Sequence, residues 1–159
     1  MSALGRDIPQ AVSALARVVD LMNVRVVSFG AKLLESAPAG EQVTASVDSE
    51  VHPGVIPGGF LVEGNFTLTA KSSVEGARDF LELRYQVGAV YRVPDESLPP
   101  LEVLNAFAET NGMVHLWPYF RAFVQQVCGQ LAIPVIILQP FRVVSQESSP
   151  ESSTASPVL

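Results

Sequence analysis

The sequence has 159 residues, of which 48% are apolar and 16% charged, with a mean hydropathy of +0.30. This length predicts one domain with a sizeable core, and the apolar surplus predicts a subunit interface or a surface for apolar partners. The net charge of −6 argues against nucleic acid as a partner, because phosphate backbones attract clustered positive charge and the Lys and Arg residues are scattered.

The single cysteine, Cys128, excludes an internal disulfide and a thiol pair for zinc or redox chemistry. Charged residues interrupt the apolar positions of residues 1–22, which argues against a signal peptide. The longest apolar runs, such as residues 135–138, are far shorter than the ~20 residues needed to cross a bilayer. We therefore expect a cytoplasmic protein in a reducing compartment, without membrane insertion.

Helical periodicity opens the chain and strand periodicity follows it. An apolar stripe predicts an amphipathic helix from Ile8 to Leu21, with Asp7 as N-cap. The stripe consists of Ile8, Val12, Leu15, Val19 and Met22. Alternating patterns then predict strands over 23–35, 42–50, 60–71 and 78–93, and the short connections predict an antiparallel meander. Residues 52–59 are predicted to form a loop, because they are too rich in Pro and Gly to continue a ladder.

Two helices are predicted after the sheet. The first covers residues 101–108 and is broken at Asn111-Gly112, and the second covers residues 117–131, with Pro118 acceptable only in its first turn. An apolar extended segment, 135–144, precedes a Ser/Pro/Glu-rich tail, 145–159, that has too little apolar surface to fold. The fold class is therefore α+β, with an N-terminal helix, a four-stranded antiparallel sheet and a long helix after the sheet.

Three motifs in this order resemble the SecB export chaperones. They are YQVGAVYRV at 85–93, LWPYFR at 116–121 and IPVIILQP at 133–140. The resemblance covers roughly residues 23–144 and is strongest after Tyr85. It implies a protomer of four antiparallel strands with helices, which pairs into dimers that stack through their long helices into a homotetramer. The chain then divides into the N-terminal helix (1–22), a SecB-like domain (23–144) and a disordered tail (145–159).

The resemblance also assigns an oligomer interface to the apolar face of the fourth strand and to the long helix. The residues concerned are Leu83, Tyr85, Val87, Phe120, Val124 and Val127. The same alternation fits an ordinary sheet core under a helix, so both interpretations stay open.

Aromatic side chains near the start of the long helix are the predicted client-binding residues, because they offer large apolar contact area at low entropic cost. They are Trp117, Tyr119 and Phe123, and the first strand near Phe29 and Leu33 is the second place to look. Part of the aromatic set must be core, since a helix cannot expose every side.

The sequence departs from the exporting SecB proteins in two places. Those proteins carry a further C-terminal helix, whereas here a Ser-rich tail follows Val144. They also dock the translocation ATPase SecA on acidic positions of the sheet, and Arg84 stands where one acidic residue is expected. The layout is more similar to SecB-like chaperones of toxin-antitoxin systems, which keep an antitoxin soluble.

The implied function is an ATP-independent chaperone that binds unfolded polypeptides for export or protection from aggregation, with SecA as a candidate partner. One alternative is a SecB-like chaperone dedicated to an antitoxin, without a role in general export, and another is a small-ligand or enzymatic domain. No catalytic, cofactor or metal site is predicted. His52 and His115 lack Cys or acidic neighbours at ligand spacing, and no base is adjacent to Cys128 in the sequence.

Overall fold

The computed structural model describes residues 7–40, 42–94 and 98–143. The elements of this described part are α1 (Ile8–Val18), β1 (Asp20–Leu33), β2 (Val43–Ile56), β3 (Gly59–Ser72), β4 (Asp79–Arg92), α2 (Leu101–Phe107), a π-helical turn (Ala108–Gly112) and α3 (Met113–Gln130). The strands form one antiparallel sheet in the order β1-β4-β3-β2. The predicted α+β class is confirmed, and the predicted tail lies outside the described residues.

The β2–β3 hairpin extends further than the sequence predicts. The two strands pair without a register shift from Val43 opposite Ser72 to Ile56 opposite Gly59. The connection is Pro57-Gly58, with Gly58 at φ +77°, which is the composition of a type II turn. The predicted loop over 52–59 is therefore wrong for residues 52–56 and for Gly59, which begins β3. β2 accommodates Pro53 because it is an edge strand, where a missing N–H need not break a ladder.

The buried face of β3 and β4 packs beneath α3. Side chains of both strands alternate between buried and partly exposed, and the core includes Phe66 and Tyr85. The ring of Phe66 stacks on that of Phe120 with centroids 4.8 Å apart. A Cβ on Gly64 would lie 2.9 Å from atoms of Leu116 and Phe66, so the missing side chain lets α3 approach the sheet closely.

The helical region after the sheet is continuous through a widened turn. Contrary to prediction, the chain does not break at Asn111-Gly112, because the π-helical turn joins α2 to α3. Within this turn the Thr110 hydroxyl donates a hydrogen bond to the Ala106 carbonyl at 2.8 Å.

Pro118 is the sixth residue of α3, so the prediction that it needs a place in the first turn is also wrong. Proline leaves the Val114 carbonyl without its usual helical partner. Both Pro118 and Val114 are exposed, so water can satisfy this carbonyl.

The first helix and the first strand are less covered than β3 and β4. Val12 and Leu15 are the buried residues of α1, which packs mainly on α2 and leads directly into β1. All described positions of β1 are exposed except the partly buried Val24. Since α3 lies over β3 and β4, the apolar inner face of β1 remains open.

Candidate functional site

A groove of about 380 Å³ separates the inner face of β1 from α3. Its walls form because α3 stops short of the edge strand, which leaves alternate side chains of β1 facing a helix that they only partly contact. Apolar side chains line most of it, while Gln126 and Gln130 contribute neutral amides. The apolar lining includes Val26, Phe29, Tyr85, Phe123, Val127 and Leu131.

Three aromatic rings form one wall of the groove. Phe29 of β1 meets Phe123 of α3 edge to face, with centroids 5.7 Å apart. Phe123 stacks in turn on Tyr85 of β4 at 4.6 Å. Burial, and to a lesser extent the nearby Tyr119, raises the pKa of Tyr85, so its hydroxyl stays neutral at physiological pH. Phe29 remains 71% exposed, so most of its ring is free to contact another molecule.

A second feature lies over α3, away from this groove. The chain beyond α3 reverses at Ala132 and returns along the helix without regular secondary structure, and residues 132–143 are here called the strap. The Trp117 indole Nε1–H donates to the main-chain carbonyl of Gln139 at 2.7 Å, and the Trp117 ring lies 6.2 Å from that of Phe141. Trp117 therefore contacts the strap.

The structure is similar to a solved SecB-like chaperone of Mycobacterium tuberculosis, Rv1957, in complex with a ChAD peptide from the Rv1956 HigA1 antitoxin. The TM-score is 0.75, with 23% sequence identity over 84% of this chain and 98% of that chain. The chain has the SecB-like fold. No protein-family model matches the sequence, and no curated protein matches it. The resemblance predicted from the three motifs is thus confirmed at the level of the fold.

The predicted client-binding residues fall into two groups on this SecB-like fold. Phe29 and Phe123 meet in the groove, whereas Tyr119, which is 44% exposed and near Tyr85, does not line it. Leu33 is 45% exposed further along β1 and does not line the groove, and Trp117 lies under the strap. Their role in client binding stays a prediction.

The predicted interface residues lie in the core of the protomer. None is more than 6% exposed, which fits the alternative of sheet core under a helix. They are Leu83, Tyr85, Val87, Phe120, Val124 and Val127. Only Tyr85 and Val127 reach the groove. An interface role for them stays a prediction, and exposed apolar side chains along β1 offer another surface for a second copy.

Two polar pairings link residues that no sequence motif connects. The Tyr91 hydroxyl and His115 Nδ1 are 2.8 Å apart, and burial lowers the pKa of His115 and raises that of Tyr91. Arg121 donates from Nε to the Leu138 carbonyl at 2.9 Å. These partners are 17 to 24 positions apart in the chain, so no local motif signals them. Within the described ranges, no cluster of metal-ligating side chains occurs, and no helix is long and apolar enough to span a membrane.

Proposed function

We propose that this protein is an ATP-independent, non-catalytic chaperone that holds a polypeptide client in the groove between β1 and α3. The class of client that fits best is the antitoxin of a toxin-antitoxin module. The observation that carries the proposal is the open aromatic wall formed by Phe29, Phe123 and Tyr85 on the SecB-like fold. The similar solved chaperone holds an antitoxin peptide, which supports the choice of client.

The shape and lining of the groove favour a polypeptide over a small molecule. Small-molecule sites enclose most of the ligand and fix it with a few convergent polar groups. Here the β1 wall is exposed on both faces, and the polar contribution comes from the amides of Gln126 and Gln130. An open apolar channel of this kind suits alternate side chains of an extended segment, and it needs no nucleotide to bind or release them.

The sequence resemblance implies a general chaperone for export or protection from aggregation, with an antitoxin-dedicated chaperone as the alternative. The alternative now has the better support. Docking of SecA would need free acidic groups on the outer face of the sheet. On β4 the Glu82 carboxylate accepts a hydrogen bond from Arg84 at 2.8 Å, and Arg92 pairs with Asp20 of β1 at 2.8 Å. These neighbouring cations reduce the negative potential along β4, whereas Asp48 and Glu50 keep exposed carboxylates on the same face of β2. Export is left out of the proposal because the similar solved chaperone holds an antitoxin peptide.

Self-assembly into a homotetramer in the cytoplasm is part of the proposal. β1 is an edge strand of 14 residues without Pro, and its apolar side chains are exposed along its length. The unpaired main-chain N–H and C=O groups of such an edge can form hydrogen bonds with another strand. Pairing along the edge uses main-chain groups in the plane of the sheet, whereas the groove lies on the face, so both can operate in one particle.

The test of this function measures two properties of the protein, namely its suppression of aggregation and its selectivity for antitoxin segments. A urea-unfolded client is diluted into buffer without nucleotide, and its aggregation is followed by light scattering with and without the protein. We expect suppression near stoichiometric amounts and no change when ATP is added. Labelled antitoxin segments and export-precursor segments of equal length are then compared by fluorescence anisotropy, and antitoxin segments should bind at least about tenfold more tightly, a difference of about 1.4 kcal/mol.

The chaperone function and the selectivity for an antitoxin can be refuted independently of each other. Equal affinity for both kinds of segment would refute the dedicated antitoxin role and leave a general holding function. Unchanged aggregation at every protein concentration would refute the chaperone function itself.

A further inference from the structure

The strap begins with a strained reversal of the chain at the end of α3. Ala132 has φ +52°, the left-handed conformation that glycine usually supplies at this position. Its N–H donates to the Gly129 carbonyl at 3.3 Å, and the Ile133 N–H donates to the Cys128 carbonyl at 3.1 Å. A non-glycine residue is disfavoured in this conformation, because its Cβ comes close to the following carbonyl oxygen. The chain therefore enters the strap through a residue in an unfavourable conformation.

Apolar side chains of the strap alternate between the protein and solvent. Ile133 and Ile136 are buried, at 8% and 7% exposure, and Leu138 and Phe141 pack partly against the core. By contrast, Val135 and Ile137 are 64% and 71% exposed. This is how an extended peptide fills pockets along a channel, with every second or third side chain inserted.

The polar contacts of the strap are made to its main chain and do not depend on its side chains. The Trp117 indole N–H donates to the Gln139 carbonyl at 2.7 Å, and Arg121 Nε–H donates to the Leu138 carbonyl at 2.9 Å. Beyond Ile133, no hydrogen bond between main-chain groups ties the strap to another element in the described part of the chain. These contacts involve carbonyls and no particular side chain, so another polypeptide that adopts the same local backbone conformation could accept hydrogen bonds from the same donors.

We propose that the channel beneath the strap is a second binding site for an extended client segment, which displaces the strap and takes over its contacts with Trp117 and Arg121. The inference rests on the proposed chaperone function and adds a site to it. The favoured segment carries branched or aromatic apolar residues at the spacing of Ile133, Ile136, Leu138 and Phe141. The strap is then an internal competitor, so its affinity for the channel sets the threshold that a client must exceed.

Two isoleucines next to each other in the strap provide a matched test. Ile136→Asp places a carboxylate in the apolar channel and should release the strap, because an unpaired charge is costly to bury. Ile137→Asp changes the same residue type at an exposed position and should leave the strap docked. A fluorescein-labelled peptide with the sequence of residues 132–143 should bind the Ile136→Asp protein at least tenfold more tightly than the parent or the Ile137→Asp protein.

The donors can be tested in the same background. In the Ile136→Asp protein, Trp117→Phe keeps an aromatic ring against Phe66 and Phe120 but removes the N–H. Loss of one such hydrogen bond should weaken peptide binding about fivefold, which corresponds to about 1 kcal/mol. Equal peptide affinity for the parent, Ile136→Asp and Ile137→Asp proteins would overturn the inference. Dissociation of the assembly by the peptide would also overturn it, since the channel would then hold the strap of a second copy.

The unaltered protein offers an independent measurement if Ile136→Asp does not fold. We expect chymotrypsin to cleave after Leu138 and Phe141 mainly when the strap leaves the channel, because both side chains pack against the core. A peptide whose apolar residues are all Ile and Val resists this protease, so it can serve as the client. We expect cleavage at these two sites, followed by mass spectrometry, to accelerate several-fold as the peptide is added. Unchanged cleavage with intact suppression of aggregation would overturn the second site and leave the chaperone function standing.

Discussion

Replacing Phe29 by Ala tests whether the groove between β1 and α3 holds the client. The ring is 71% exposed in the free protein and touches Phe123 at its edge. Complete burial of a Phe side chain contributes about 1.5–3 kcal/mol. A client that covers the exposed share would gain about 1–2 kcal/mol from this ring, so Phe29→Ala should weaken binding by about 5–30-fold.

The same substitution should have a small effect on folding. The ring buries less than a third of its surface in the protomer, and the edge contact with Phe123 adds about 0.5–1 kcal/mol. The total loss of about 1–2 kcal/mol should lower the melting temperature by only about 2–8 °C for a domain of this size. A substitution in the sheet core, such as Phe66→Ala, should cost about 3–5 kcal/mol instead.

The assay combines anisotropy of a labelled, permanently unfolded polypeptide with circular dichroism melting. Val55→Ala is the control, because Val55 is 64% exposed on β2 at the opposite edge of the sheet. This control should bind the client as the parent does. If Phe29→Ala also binds with the parent's affinity, the groove is not the client site. If the assembly falls apart instead, the groove belongs to a subunit interface.

Three further predictions concern pH, packing and assembly. Burial lowers the pKa of His115 from its usual 6.5, so its contribution to stability is complete above pH 6.5 and is lost as pH falls through the lowered value. The drop in melting temperature from pH 7.5 to pH 5 should be smaller in His115→Gln, and equal drops in both proteins would contradict this role. Gly64→Ala places a methyl group 2.9 Å from Leu116 and Phe66 and should cost about 1–3 kcal/mol, measured by urea unfolding; an unchanged midpoint would mean that α3 shifts freely. Val27→Asp puts a charge on the exposed edge strand and should reduce the particle from about four chains, as measured by light scattering, while an unchanged mass would exclude the β1 edge as the interface.

Hydrophobic periodicity predicts the helices and strands of this fold well. It fails at positions where the place of an element in the fold determines how far that element extends. The alternation in β3 and β4 identifies the sheet, because those strands have one covered face. The end of β2 is missed because Pro53 and Gly54 disfavour a strand. Local propensity cannot indicate that β2 lies at an edge, where Pro is tolerated. The extent of α3 is also missed, because the Pro118 position is acceptable only on an exposed side of the helix.

The sequence gives less information about the candidate site. Aromatic content identifies Phe29 and Phe123, but the alternation of β1 is the same whether or not a helix covers its inner face. The sequence predicts that Trp117 is available to a client. In the structure its indole N–H donates to the Gln139 carbonyl, and this hydrogen bond depends on the chain reversal at Ala132. Such a long-range pairing requires the folded geometry, because donor and acceptor are 22 positions apart.

The two edges of the sheet differ in a way that limits growth. β2 carries Pro53, which offers no N–H to an incoming strand, whereas β1 presents 14 residues without Pro. A sheet with two receptive edges can add copies at both ends and extend into a fibre. Because Pro53 and the charges of Asp48 and Glu50 disfavour pairing along β2, two copies related by a twofold axis pair preferentially through β1. Growth along the strand-pairing direction is then disfavoured beyond a pair, which lowers the tendency of a strongly apolar chain to form fibrils.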